Sequence, residues 1–182
     1  MKSLVPIALL ALLASACEET PMGPAATMGP APLANPYAPP YASVFRERDF
    51  AWSTEPGSAS IVGAVGYRNG PVRYSCSGED VILTPETAWS RRRMIILYGS
   101  DFSAAVPVGV VRSRIPSAPN GDYVRFVRKA KCDGDNHFTF TNLPDGSWFV
   151  ITVAKPADPG ADTVALMRRV QTRGGRRFVS LN

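Results

Sequence analysis

Histidine is nearly missing from this chain, with one among 182 residues. That scarcity excludes histidine-rich metal centres and leaves at most one base-dependent site, at His137. Long apolar runs are missing after Leu13, so no later segment approaches the length needed to cross a bilayer. The motifs of common enzymes are missing too. There is no G-x-S-x-G elbow, no S-x-x-K pair in the folded part and no glycine loop to cradle phosphate. The chain therefore reads as non-enzymatic, with no cofactor. A carboxylate pair acting on glycans, which leaves no sequence signature, stays open. Acid is the scarcer charge, 15 Asp+Glu against 20 Lys+Arg, a net charge of +5. Such an excess suits anionic envelope polymers or lipid head groups.

What is present begins with an address. Lys2 precedes an uncharged run, Leu4 to Leu13, that is too short to span a membrane and ends in Ala14-Ser15-Ala16. This pattern is an export signal over residues 1–16. Loss of Lys2 with it lowers the net charge by one, from +5 to +4. Nucleic acid is not an expected partner of an exported chain. Ala14-Ser15-Ala16 also fits the general signal peptidase, which would leave Cys17 unmodified. Leu12-Leu13-Ala14-Ser15-Ala16-Cys17, however, resembles a bacterial lipoprotein signal, with Ala14 where Leu is usual. The resemblance implies lipidation of Cys17, and Glu18 in place of Asp implies the outer membrane. Cysteine arithmetic agrees. Of Cys17, Cys76 and Cys132, a lipid takes one and leaves Cys76 and Cys132 as a disulfide pair in an oxidising compartment.

Residues 17–43 form a proline-rich linker in which Met22-Gly23-Pro24-Ala25 recurs at Met28-Gly29-Pro30-Ala31. Proline removes backbone donors and favours an extended chain, so the tether reaches up to about 80 Å at about 3.1 Å per residue. Residues 44–57 mix aromatics with charge and lead into the folded part, with Phe45, Phe50 or Trp52 docking on it.

Residues 58–182 carry strand signals. Ala59 to Tyr67 partly alternates, Asn69-Gly70 marks a turn, and Val81 and Leu83 share one side. Between 86 and 98 a short helix is expected, with Thr84 as N-cap, Pro85 in the first turn and Gly99 as C-cap. Met94, Leu97 and Tyr98 share its face, although Ile95-Ile96-Leu97 also fits a buried strand. Residues 100–121 read as a loop with at most an edge strand at Val108 to Arg112. Tyr123 to Ala130, Phe138 to Thr141, Trp148 to Val153, Val164 to Thr172 and Arg176 to Leu181 complete the strands. The last two are expected to be joined across Gly174-Gly175. Seven to eight short strands predict a mainly β, antiparallel β-sandwich.

Asp133-Gly134-Asp135-Asn136-His137-Phe138-Thr139-Phe140-Thr141-Asn142-Leu143-Pro144-Asp145-Gly146-Ser147-Trp148 resembles the D-x-x-G-x-F-x-F-x-x-L-P-x-G-x-Y signature of carboxypeptidase regulatory-like domains. Ile61-Val62-Gly63-Ala64 and Val81-Ile82-Leu83-Thr84-Pro85 resemble the opening strands of the same domain. Asn136 stands for the turn glycine and Trp148 for tyrosine. The resemblance implies a transthyretin-like sandwich acting as a non-catalytic accessory module over about residues 58–182.

Several residues are candidates for binding. Cys76, Cys132 and His137 lack a fourth metal ligand. An EF-hand from Asp133 fails, because Phe138 and Pro144 occupy its Gly and Glu positions. Arg91-Arg92-Arg93, Arg168-Arg169, Arg173, Arg176 and Arg177 would form an anionic-ligand patch if they converge, and ordinary solubilising charge if they scatter. Arg173-Gly174-Gly175-Arg176-Arg177 also resembles an RGG element, but a hairpin with solvated arginines explains it more simply. Trp52, Trp89 and Trp148 would stack on sugar if they share an exposed face, and are core residues if they are buried. The expected function is an envelope lipoprotein module, structural or protein-binding, held to the membrane by lipid at Cys17. The alternative is a module that binds peptidoglycan or another polysaccharide, with an anionic glycan among the partners.

Overall fold

The computed structural model describes residues 44–115 and 123–182. The signal segment, Cys17, the linker and the Asn120-Gly121 turn lie outside the described residues. Chain order is β1 (Ala59–Val65), β2 (Arg68–Asn69), β3 (Val72–Ser75), β4 (Asp80–Pro85), α1 (Ala88–Tyr98), β5 (Ser103–Pro107), α2 (Val108–Ser113), β6 (Arg128–Lys131), β7 (His137–Leu143), β8 (Gly146–Pro156), β9 (Val164–Thr172) and β10 (Arg176–Leu181). The protein is mainly β, and the strands form two sheets that pack as a β-sandwich.

The small sheet has the order β10-β1-β7. The large sheet is built on β8, with β9 and then β5 to one side and β4 and then β6 to the other. The hairpin β2–β3 pairs with the C-terminal end of β8. Alternation directs the core. Ile61 and Val65 of β1, Phe138 and Phe140 of β7, and Leu181 of β10 meet Val81 and Leu83 of β4 and Trp148 and Val150 of β8. The opposite face of the large sheet is also covered. Phe149 and Met167 pack under Met94 of α1, and Ala165 packs under Leu97 of α1 and Val111 of α2.

Several elements differ from the sequence reading. Ten strands form among the described residues rather than seven or eight, because β2 and β5 are short pairings that local pattern does not mark. The strand of the 100–115 stretch lies at Ser103–Pro107, and Val108–Ser113 is helical. Burial of Val111 against the sheet outweighs the β preference of its neighbours. Thr84 and Pro85 belong to β4, opposite Phe149 and Trp148. The cap is Thr87, whose Oγ1 accepts from the Ser90 amide at 3.1 Å while Ser90 Oγ accepts from the Thr87 amide at 2.8 Å. Gly99 closes the helix at φ 75°. Tyr123–Phe126 is a 3-10 turn, and β6 begins only at Arg128.

The expected hairpin across Gly174-Gly175 does not form. Both glycines have positive φ, 58° and 60°, and the chain crosses from the large sheet to the small one. The Ser60 amide donates to Gly175 O at 2.9 Å, and the Gly174 amide donates to the Asp145 carboxylate. β10 consequently runs parallel to β1, while the remaining pairings are antiparallel.

The lead-in is part of the packing. Phe50 is fully buried, with its ring 5.2 Å from that of Phe126 and 5.9 Å from that of Trp89. The Trp52 ring lies edge-on to Trp148 at 4.9 Å. Arg128 stitches the segment down, donating to Ser53 O at 2.7 Å and Asn142 O at 3.2 Å. Desolvation lowers the Arg128 pKa, yet the guanidinium keeps two carbonyl acceptors.

Candidate functional site

Cys76 and Cys132 are joined in a disulfide, with Cα atoms 5.7 Å apart. Asn136 holds the surrounding turns together. At φ 66° it takes the left-handed conformation, and its Oδ1 accepts from Ser75 Oγ at 2.7 Å and the Cys76 amide at 2.9 Å. A glycine here would supply the conformation without those two bonds. Asp133 Oδ1 accepts from the amides of Asp135 at 3.0 Å and His137 at 2.7 Å, so this carboxylate serves the turn. Among the described residues no group of three or more His, Cys, Asp or Glu is placed to hold a metal ion.

The candidate arginines are distributed over several places. Arg91 of α1 and Arg169 of β9 converge, but on carboxylates. Glu86 Oε1 lies 2.6 Å from Arg91 Nη2 and 3.2 Å from Arg169 Nη1. Asp101 is 3.9 Å from Arg91 and 3.7 Å from Arg169. Two cations against two carboxylates leave no excess charge for an anion there. The Glu86 side chain is only 5% exposed, so this cluster pins the helix to the sheet. Arg92 is exposed, and the Arg93 guanidinium lies over the rings of Trp89 and Tyr123 at 5.7 and 5.4 Å. Arg168 donates to Ser180 O at 3.2 Å and Asn182 Oδ1 at 3.0 Å, binding β9 to the end of β10. Arg173 at the crossover and Arg176 and Arg177 on β10 are exposed.

The three tryptophans share no exposed face. Trp148 is fully buried, and its Nε1 donates to Thr172 Oγ1 at 3.3 Å. Trp52 packs against Trp148, whereas Trp89 belongs to the cluster of Phe45, Phe50 and Tyr123. Of the two alternatives, a shared stacking face is not formed, and Trp148 belongs to the core. Burial of an aromatic as large as Trp148 stabilises the core and leaves nothing to stack upon.

Two surfaces went unnoticed in the sequence. A groove of about 680 Å³ beside α2 is lined by Val108, Val153, Arg112, Asp162 and the Glu79–Lys155 ion pair, among others. The outward face of the small sheet is the second. Its rows are set by register: Phe178–Val62–Thr139, Ser180–Ala64–His137, and Arg176 beside Ser60. Phe178 is 71% exposed at the end of its row. Alternation along Arg176 to Leu181 carried this signal, since it places Arg176, Phe178 and Ser180 on one face. The hairpin reading pointed that strand at the wrong neighbour.

No protein-family model matches the chain, and no curated protein matches it. Among solved structures it is similar to that of a "putative carbohydrate binding protein" from Pseudomonas aeruginosa, at 17% identity and a TM-score of 0.53. The match covers 75% of this chain and 96% of the other. At that identity the likeness establishes a shared β-sandwich architecture.

Proposed function

We propose that this chain is a non-enzymatic interaction module of the cell envelope. It is exported, lipidated at Cys17, anchored in the outer membrane, and presents a carboxypeptidase regulatory-like sandwich on its proline-rich tether. Its role is structural or protein-binding. One observation carries this reading. Of the large apolar side chains left exposed, Ile95, Ile96, Phe102, Val110 and Ile115 belong to the 95–115 stretch, against only Val44, Val124 and Phe178 elsewhere among the described residues. Exposed apolar side chains concentrated in one stretch of chain are what partner-binding regions carry. A photocrosslinking residue at Ile96 should give a discrete protein adduct in intact envelopes, and the same residue at Thr139 should not. No adduct at Ile96, or one unchanged by Ile95→Asp, would overturn the protein-binding role. Labelled fatty acid should enter the chain and be lost in Cys17→Ser.

A second reading, polysaccharide binding, is favoured by the likeness to the Pseudomonas protein. Co-sedimentation with purified sacculi tests it, and recovery no greater than that of an unrelated protein would count against it.

A further inference from the structure

We propose that the outward face of the small sheet, centred on Phe178, is a platform for an anionic polysaccharide chain. This deepens the polysaccharide reading and rests on it. The two sheets of the sandwich differ in their outer faces. That of the large sheet lies under α1 and α2, whereas on the small sheet His137, Thr139, Thr141, Arg176, Phe178 and Ser180 are exposed. Phe178 is the most exposed large apolar residue described, at 71%. An aromatic ring exposed to water on a sheet face offers a stacking surface for the apolar face of a sugar. Val62 lies beside it, and the hydroxyls of Ser60, Thr139 and Ser180 flank the row. Strand pairing holds these groups at fixed spacings of about 4.8 Å between strands, so little order remains to be imposed on binding.

Charge selects the class of sugar. The strands β1, β7 and β10 contain no Asp or Glu, whereas Arg176 shares the outward face of β10 with Phe178 and Arg173 is exposed at the crossover that precedes it. An anionic chain complements that surface. A carboxylate does sit at one end, Asp133 at 4.0 Å from His137 Nδ1, but its Oδ1 already accepts from two amides. A peptide adding to β10 as a further strand is disfavoured. Arg168 already occupies Ser180 O, one of the acceptors that strand offers.

The test is affinity electrophoresis of the full chain in gels containing polygalacturonate, uncharged dextran or polyglutamate. Polygalacturonate should retard the protein, and dextran and polyglutamate should do so far less. Phe178→Ala should weaken retardation about fivefold or more, and Phe178→Trp should preserve it. Arg176→Gln should weaken it and reduce its sensitivity to about 0.5 M salt, and Arg177→Gln, on the other side of the strand, should do so less. All these positions are exposed, and circular dichroism would check that each variant folds. Equal retardation of wild type and Phe178→Ala would mean simple ion exchange and overturn the platform. Loss in Arg112→Gln but not in Phe178→Ala would move the glycan to the groove, so that the platform falls and the polysaccharide reading stands. Retardation by polyglutamate equal to that by polygalacturonate would overturn the choice of polysaccharide over acidic peptide. Failure to bind polygalacturonate or sacculi would overturn both the platform and the reading beneath it.

Discussion

Gly63→Ala adds one methyl group where the core has no room for it. Gly63 stands directly opposite Phe138 in the β1–β7 pairing. A Cβ at Gly63 would lie 2.0 Å from Cζ and 2.3 Å from Cε2 of the Phe138 ring. The ring is 3% exposed and packs edge-on against Phe140 at 6.2 Å, so it cannot swing into solvent. Relief requires an off-rotamer ring or a displaced strand, and overpacking of this kind costs about 3 kcal/mol. Phe138→Ala alone should cost about 4 kcal/mol through the cavity it leaves. In the double variant the new methyl enters part of that cavity. Its cost should therefore fall about 2 kcal/mol short of the sum of the single costs. Urea unfolding with the disulfide intact measures all three variants. A loss under about 0.5 kcal/mol for Gly63→Ala, or strict additivity in the double variant, would refute the reasoning. The same contact makes Gly63 of β1 the seat of the Phe138 ring of β7.

Replacing both Cys76 and Cys132 by Ser opens a link of sequence separation 56 and should cost about 4 kcal/mol, read as a fall in the urea midpoint. Glu86→Gln leaves Arg91 and Arg169 with only Asp101 nearby, and should cost about 1.5–3 kcal/mol in thermal unfolding. Adding Arg169→Met should recover part of that loss, and no recovery would argue against the charge account. Burial raises the Tyr98 phenol from 10.0 to about 12. Because the unfolded chain ionises first, stability should be intact below pH 10 and fall between pH 10 and about 12. Tyr98→Phe should flatten that alkaline decline in urea midpoints, and an unchanged slope would refute it.

Local pattern made much of the sandwich legible. Period-two alternation at Ile61–Val65 and Phe138–Phe140 marks the core face of two strands, and Asn69-Gly70 marks the hairpin between β2 and β3. Gly99 marks the helix end through its positive φ. Elements whose state depends on distant partners were not legible. Val108–Ser113 has a strand-like composition and becomes a helix because Val111 finds Leu97 and Ala165. Glu86 looks like a first-turn residue, yet it answers Arg169, which lies 83 residues away. Among the candidate arginines, sequence listed charge without its sign-balanced surroundings. Only in the fold does Arg91 meet carboxylates while Arg176 and Arg177 stay open to solvent.

By itself the sequence determined the strand-rich class, the core faces, the turns and the expectation of an exported chain with one cysteine pair. Periodicity, left-handed turn residues and cysteine count are local or compositional properties. Tertiary structure alone decided that β10 leaves β9 and runs parallel to β1, and that, among the described residues, helices cover the outer face of one sheet and not that of the other. It also decided that Trp148 is buried and Phe178 is not. Pairing partners and burial are set by which surfaces meet across long sequence separations. A strand's own residues carry its alternation, but they do not record what will lie against either face.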